Sequence, residues 1–288
     1  MKATSSAVRP LGGPEPLIDV HAHFHWEGSG REDWERVNAR RLEVGDQMGI
    51  RCHVASILGS WGHRSPTYLS SPTDVRAGND AMFEIARGDG HRGRAWVHVN
   101  PNEGARAIEE LERGLAAGAI GIKVAAARRA DDPLLDPIAE FAASHRLPML
   151  HHLWQHRTRH WPGQDISDAA DYARLAARHP NATFVAAHIG GGGDWQHSLP
   201  AAAGASNILF DLSGSGIDRG MLERCLAWMG PTRLLWAADL SLDTGLTKLR
   251  ALEALGLSAN DLAAIRWRNA VRIFPPGSFG MLSPSEVA

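Results

Sequence analysis

Short β-branched, apolar runs alternate with amphipathic segments along almost the whole chain, and this rhythm restricts the fold more than any other feature. The runs are LIDVHAH at 17–23, RCHVASIL at 51–58, RAWVHVNP at 94–101, AIGIKVA at 119–125, LPMLHH at 147–152, ATFVAAH at 182–188, NILFDLS at 207–213 and RLLWAAD at 233–239. Between them, spacing predicts helices over 33–49, near 74–87, and over 103–118, 133–146, 165–180 and 218–230, bounded by Gly or Pro. Two more are expected near 244–255 and 258–274. Strands that alternate with helices pair in parallel, and eight such units close into a single (β/α)8 TIM barrel of the α/β class. An open doubly wound sheet is the alternative, but no GxGxxG follows the first strand to support its dinucleotide form. At 288 residues, with 44% hydrophobic and 22% charged, the chain suits one large domain. We expect a loose arm at 1–16, the barrel at 17–274 and a tail at 275–288.

The net charge of −2 provides no field for nucleic acid, and no run is long enough to span a membrane. A small molecule is therefore the expected partner. Cys52 and Cys225 resemble no disulfide framework or CxxC site, and the N-terminus lacks a signal-peptide core, so a cytoplasmic location is expected.

In a barrel, functional side chains collect at the C-terminal ends of strands. Those ends carry His21 and His23 on the first strand, Lys123 on the fourth, and His151 and His152 on the fifth. His188 ends the sixth and Asp239 the eighth. With fifteen histidines, about one HxH pair arises by chance, so the setting carries more weight than the spacing. Period-two geometry puts Asp19, His21 and His23 on one face. Imidazole and carboxylate suit a borderline divalent ion such as zinc, which lowers the pKa of bound water toward about 7. Asp239 is then placed to ligate the ion and accept a proton, and His188 to polarise the reacting group or shuttle that proton.

Other residues admit plainer roles. His25 lies past the strand and reads as a loop or pocket residue; His151 should point away from His152. Lys123 is a substrate-site candidate, with anion binding or an interior ion pair favoured over a carboxylated bridging ligand. Interior filling accounts for Trp96 and His98, while Asp211 is either structural or a support for the metal site. The glycine run 190–193 either approaches a substrate anion or permits a tight turn. Trp61, His63, Arg64, Trp154, Arg157 and Arg159 lie on mouth-side loops, where aromatic rings and guanidinium groups suit a planar carboxylated substrate.

IDVHAHF, GIKV, LPMLHH, VAAHIGGG, LLWAAD and RNAVRIF, in this order, resemble the amidohydrolase superfamily, most closely its amidohydrolase-2, or aminocarboxymuconate-semialdehyde decarboxylase-like, branch. The resemblance implies a distorted barrel with one divalent ion, usually zinc and sometimes manganese. It implies His21, His23, His152 and Asp239 as ligands, and His188 beside the metal-bound water. It also allows a homodimer. The eighth-strand end departs from the branch's Gly-Ser-Asp pattern, reading AADLS, which leaves the surroundings of Asp239 open. The branch contains hydrolases, nonoxidative decarboxylases and hydratases. Modest loops favour a hydrolase using metal-activated water on a small organic substrate. A nonoxidative decarboxylase of an aromatic or enoic acid is the runner-up, and a metal-free binding barrel the third reading.

Overall fold

The structure, a computed structural model, describes residues 15–88, 92–191, 194–214 and 218–280. Its barrel strands are β1 (Leu17–His23), β2 (Ile50–Ser56), β3 (Gly93–Val99), β4 (Gly121–Val124), β5 (Pro148–His151), β8 (Thr183–Ala186), β9 (Ile208–Asp211) and β10 (Leu234–Leu235). They form one eight-stranded sheet in that order, with parallel pairing between neighbours. The last strand returns to the first: Val20 N–H donates to Trp236 O at 3.3 Å and Asp239 N–H to His21 O at 2.7 Å. This closure excludes the open sheet and gives a (β/α)8 barrel.

The helices are α1 (Trp34–Met48), α2 (Pro72–Gly88), α3 (Ala105–Ala116), α4 (Asp136–His145), α5 (Ala169–Arg178), α6 (Trp195–Ala202), α7 (Met221–Met229) and α8 (Leu242–Ala254). A final segment runs from α9 (Ala259–Ala263) through a π turn into α10 (Asn269–Ile273). Two elements differ from expectation. A small hairpin, β6 (His160–Trp161) with β7 (Gln164–Asp165), reaches Asp165, the first residue of the expected fifth helix, which begins only after Asp168 caps it. The eighth strand is regular only at Leu234–Leu235, because Trp236 N–H turns to Ile265 O.

Ile18, Val20, Val54, Trp96, Ile120, Leu150, Val185, Leu209 and Leu235 pack together inside the barrel. Trp96 lies in this cluster, as expected, and its indole N–H donates to Val20 O at 2.9 Å. Trp267, Ala270 and Phe274 join the cluster, the Trp96 and Phe274 ring centroids being 5.0 Å apart. Each large apolar side chain so buried stabilises by about 1.5–3 kcal/mol. Leu17, Ala22 and Phe24 instead join the outer layer against the helices.

That division corrects one expectation. Asp19 does not share a face with His21 and His23: the β1–β2 register shifts between Asp19 and Ala22. Such a bulge re-aims the side chains after it. Val20 and His21 consequently both face inward, whereas Asp19 meets Arg41 of α1 at 2.8 Å and His53 at 2.9 Å.

Cys52 and Cys225 are both buried. Among the described residues, no helix is long and apolar enough to cross a membrane. Residues 1–14 of the expected arm, 281–288 of the expected tail, and Gly192 and Gly193 lie outside the described residues. Glu15 and Pro16 are held through their carbonyls by Arg266.

Candidate metal centre

The β1 bulge delivers two imidazoles to the barrel mouth with their Nε2 atoms 3.2 Å apart. Asp239 Oδ1 completes a triangle, 3.3 Å from His23 Nε2 and 3.8 Å from His21 Nε2. Two ligands about 2.1 Å from one ion stand about 3.0–3.4 Å apart at angles of roughly 90–110°. The two shorter edges fall in that range, and the third corresponds to a wider angle.

The opposite sides of both rings are tied back. His21 Nδ1 lies 2.9 Å from Asp211 Oδ2, and His23 Nδ1 lies 3.0 Å from Ser56 O. An N–H donated on that side leaves the Nε2 lone pair facing the cluster, the tautomer a metal ligand needs. Lys123 Nζ approaches His21 Nε2 to 2.7 Å, placing a cationic donor against the lone pair an ion would use. The donor set and its orientation therefore fit a divalent ion held by His21, His23 and Asp239.

His188 stands beside this triangle. Its Nε2 is 3.1 Å from His152 Nδ1, and its Nδ1 is 3.0 Å from Ser213 Oγ. Asp211 Oδ1 accepts both the His188 and Ser213 backbone N–H groups, at 3.0 and 2.9 Å. Asp211 thus supports both sides of the site. His152, expected as a fourth ligand, makes its hydrogen bond to His188, and its ring lies tilted against Tyr68 with centroids 4.8 Å apart. His151 points to the helix layer, its ring 5.5 Å from Tyr172 of α5.

Burial sets the electrostatics. It pushes the His21 pKa down to about 4, helped by Lys123 and opposed by Asp211. It also brings Lys123 down to about 8, against the pull of Asp239 and Asp211. Burial opposes ionisation of Asp239, but the surrounding His188, His23 and His21 hold its carboxyl well below the ordinary range. A neutral His21 and an ionised Asp239 are thus the resting forms near neutral pH.

The backbone is strained where it presents this chemistry. His188 and Asp239 have φ of 58° and 61°, left-handed values that cost a non-glycine residue about 1–3 kcal/mol. Gly214, at φ 86°, lies so close to His188 that an added Cβ would stand 2.9 Å from the imidazole. Lys248 Nζ fixes that loop by donating to Ser213 O at 2.9 Å and Gly214 O at 2.6 Å.

A cavity of about 250 Å3 beside the triangle is lined by Tyr68, His152, Leu153, Trp154, His188, Gly214 and Asp239. Of the expected substrate residues, Trp154 lines it. Trp61 instead packs edge-on against His23 at 5.1 Å and donates to Phe24 O. His25 is clasped through its backbone by Asn38 and its ring lies 5.5 Å from Trp61. His63 sits against Gly30, Arg64 over Trp26, and Arg159 on Asp168 and Asp171, while Arg157 is exposed. The sequence pattern alone does not single out Tyr68, Ser213 or Lys248. Ser213, a polar residue ending the seventh run, was open to the same strand-end reading as Asp211; Tyr68 and Lys248 carried no such signal.

The family model described as Amidohydrolase matches residues 18–275, which contain every residue of this centre. The chain belongs to the amidohydrolase family. A comparison with curated proteins finds no match. Among solved structures, this chain is similar to 2,6-dihydroxybenzoate decarboxylase from Rhizobium, with 16% identity, TM-score 0.69, and coverage of 90% of this chain and 98% of the other. It is also similar to 5-carboxyvanillate decarboxylase from Sphingomonas paucimobilis, with 17% identity, TM-score 0.65 and coverage of 91% and 99%. A third is a dihydroxybenzoic acid decarboxylase from Polaromonas with bound manganese and 2-nitroresorcinol, with 16% identity, TM-score 0.65 and coverage of 90% and 97%. At these identities the likeness establishes the amidohydrolase fold.

Proposed function

We propose that this member of the amidohydrolase family is a divalent-metal-dependent, nonoxidative decarboxylase of a small aromatic or enoic acid, the runner-up reading of the sequence rather than the favoured hydrolase. The pocket carries the reading. At about 250 Å3 it falls below the roughly 300–1,000 Å3 of drug-sized sites, and the rings of Tyr68, His152 and Trp154 line it beside Asp239. Such a space suits one planar ring bearing a carboxylate. Solved structures that share the fold and are named as decarboxylases of dihydroxybenzoate and carboxyvanillate support the same direction.

A bound ion supplies positive charge that stabilises the substrate's oxygens as charge develops on them. The imidazole-rich donor set favours zinc, with manganese the alternative supported by the Polaromonas structure. Asp239, ionised at rest, takes the proton of a phenol or enol as the acid docks and returns it to the carbon that loses carbon dioxide. One C–C bond breaks, one C–H bond forms, and no electron acceptor is consumed. Ser213 and the His152 ring fix the orientation of His188 beside that carbon.

The same ionised Asp239 would also serve a hydrolase as general base, so the two reactions are to be assayed together. Metal-loaded protein offered a panel of hydroxybenzoates and enoic acids, with matched esters and lactones, is expected to release carbon dioxide from at least one acid. Ester or lactone hydrolysis with no carbon dioxide from any acid would overturn the proposal in favour of the hydrolase.

A further inference from the structure

A second group of nitrogen and oxygen donors gathers where the segment after β5 meets α6. His156, Asp168 and His197 each bring one ligand atom within 4.8 Å of the others. They come from three separate stretches: the loop after β5, the residue capping α5, and the first turn of α6. Asp168 is fully buried, whereas the side chains of His156 and His197 are 34% and 40% exposed.

Two details point to a bound cation. His197 Nε2 is itself buried and lies 3.0 Å from Asp168 Oδ2, yet makes no hydrogen bond. Donor and acceptor are close enough but not aligned on one another, as expected of two ligands directed at a third point; ligands about 2.1 Å from an ion at right angles stand about 3.0 Å apart. Independently, His156 Nδ1 contacts Asp194 Oδ2, which also accepts the His156 backbone N–H at 2.8 Å. A carboxylate on Nδ1 is the device that orients His21, and it leaves Nε2 free to ligate. The His156 and His197 rings stack with centroids 4.1 Å apart.

We propose that His156, His197 and Asp168 form a second divalent-cation site that takes a zinc-class ion. Two imidazoles and one carboxylate match zinc rather than the all-oxygen shells of magnesium or calcium, and the exposed side leaves a position for water. Arg159 Nη2, 3.3 Å from Asp168 Oδ2, yields to the ion and keeps its contact with Asp171. The ion fastens the loop that carries Trp154 to the segment that follows His188, two stretches that touch where Gly191 packs on Trp154 O. Its role is to hold a wall of the pocket in place.

The test is zinc stoichiometry of the full chain, stripped with chelator and followed by equilibrium dialysis and elemental analysis, with circular dichroism to establish folding. Wild type is expected to bind two equivalents, and His197→Ala and His156→Gln one each; the second variant covers failure of the first to fold. The His21→Ala/His23→Ala double variant is expected to keep one equivalent, lost on adding His197→Ala. Retention of the wild-type stoichiometry, whether one equivalent or two, in both His197→Ala and His156→Gln would overturn the second site. Loss of an equivalent in His197→Ala but none in the double variant would support it while removing the barrel-mouth centre.

Discussion

His21 and Asp211 are 190 positions apart in the chain and 2.9 Å apart in space, Nδ1 to Oδ2. This contact couples β1 to β9 across the barrel and fixes which nitrogen of His21 faces the candidate ion. Burial opposes the charge of Asp211, yet His21, His188 and Ser213 hold its carboxyl well below the ordinary range.

Asp211→Asn tests that support with little change of shape. Asn Oδ1 can still accept from the His188 and Ser213 backbone N–H groups, but His21 loses its anionic partner. Metal affinity is expected to fall about 10–100-fold, the usual cost of losing such a partner, with the fold retained. Competition against a chromogenic chelator measures it, and unchanged affinity would count against the tautomer assignment.

Asp19, turned outward by the bulge, is fully buried against Arg41, itself only 6% exposed. Asp19→Ala leaves that guanidinium buried without its carboxylate and is expected to cost about 3–5 kcal/mol. It also releases Ala238 N–H, which donates to Asp19 at 2.9 Å, one residue before Asp239. Urea unfolding reads the loss; a change under about 1 kcal/mol would be inconsistent with a buried ion pair.

Acid should destabilise the ion-free protein earlier than its carboxylates alone would. Burial foremost lowers the pKa of His21, His98 and His151 from 6.5 to about 4. Between those values the unfolded chain binds protons that the native state does not, so stability falls as pH drops. Each histidine contributes a slope of up to about 1.4 kcal/mol per pH unit. Above 6.5 the contribution is constant, and the depressed carboxyls of Asp211 and Asp239 add their loss only below the ordinary carboxylate range. Unfolding free energies at about pH 7, 6 and 5 should decline steadily; equal values would show that these imidazoles are solvated.

Gly214→Ala bears on the setting of His188. The position needs φ of 86°, and the new Cβ would meet the His188 ring at 2.9 Å. The expected outcome is a stability loss of about 1–3 kcal/mol with a larger fall in kcat than in substrate affinity. Unchanged turnover would remove His188 from the reacting region.

The barrel was legible because its strands are apolar runs between Gly and Pro, and the strand-end rule then brought His21, His23, His188 and Asp239 into one neighbourhood from across the chain. Less was legible where the backbone leaves its regular course. Strict alternation placed Asp19 with His21, and only the register shift after Asp19 separates them. The left-handed turns at His188 and Asp239 occupy non-glycine positions, so composition did not announce them. Tyr68 lies in a Ser- and Pro-rich loop without periodicity, and its place over His152 depends on how that loop folds back.

Anomalous diffraction at the metal edge, from crystals grown with zinc or manganese, tests the central claim most directly. A peak is expected within about 2.0–2.2 Å of His21 Nε2, His23 Nε2 and Asp239 Oδ1, with Lys123 withdrawn from His21. A protein that crystallises with its fold intact and shows no peak among these three atoms would contradict it.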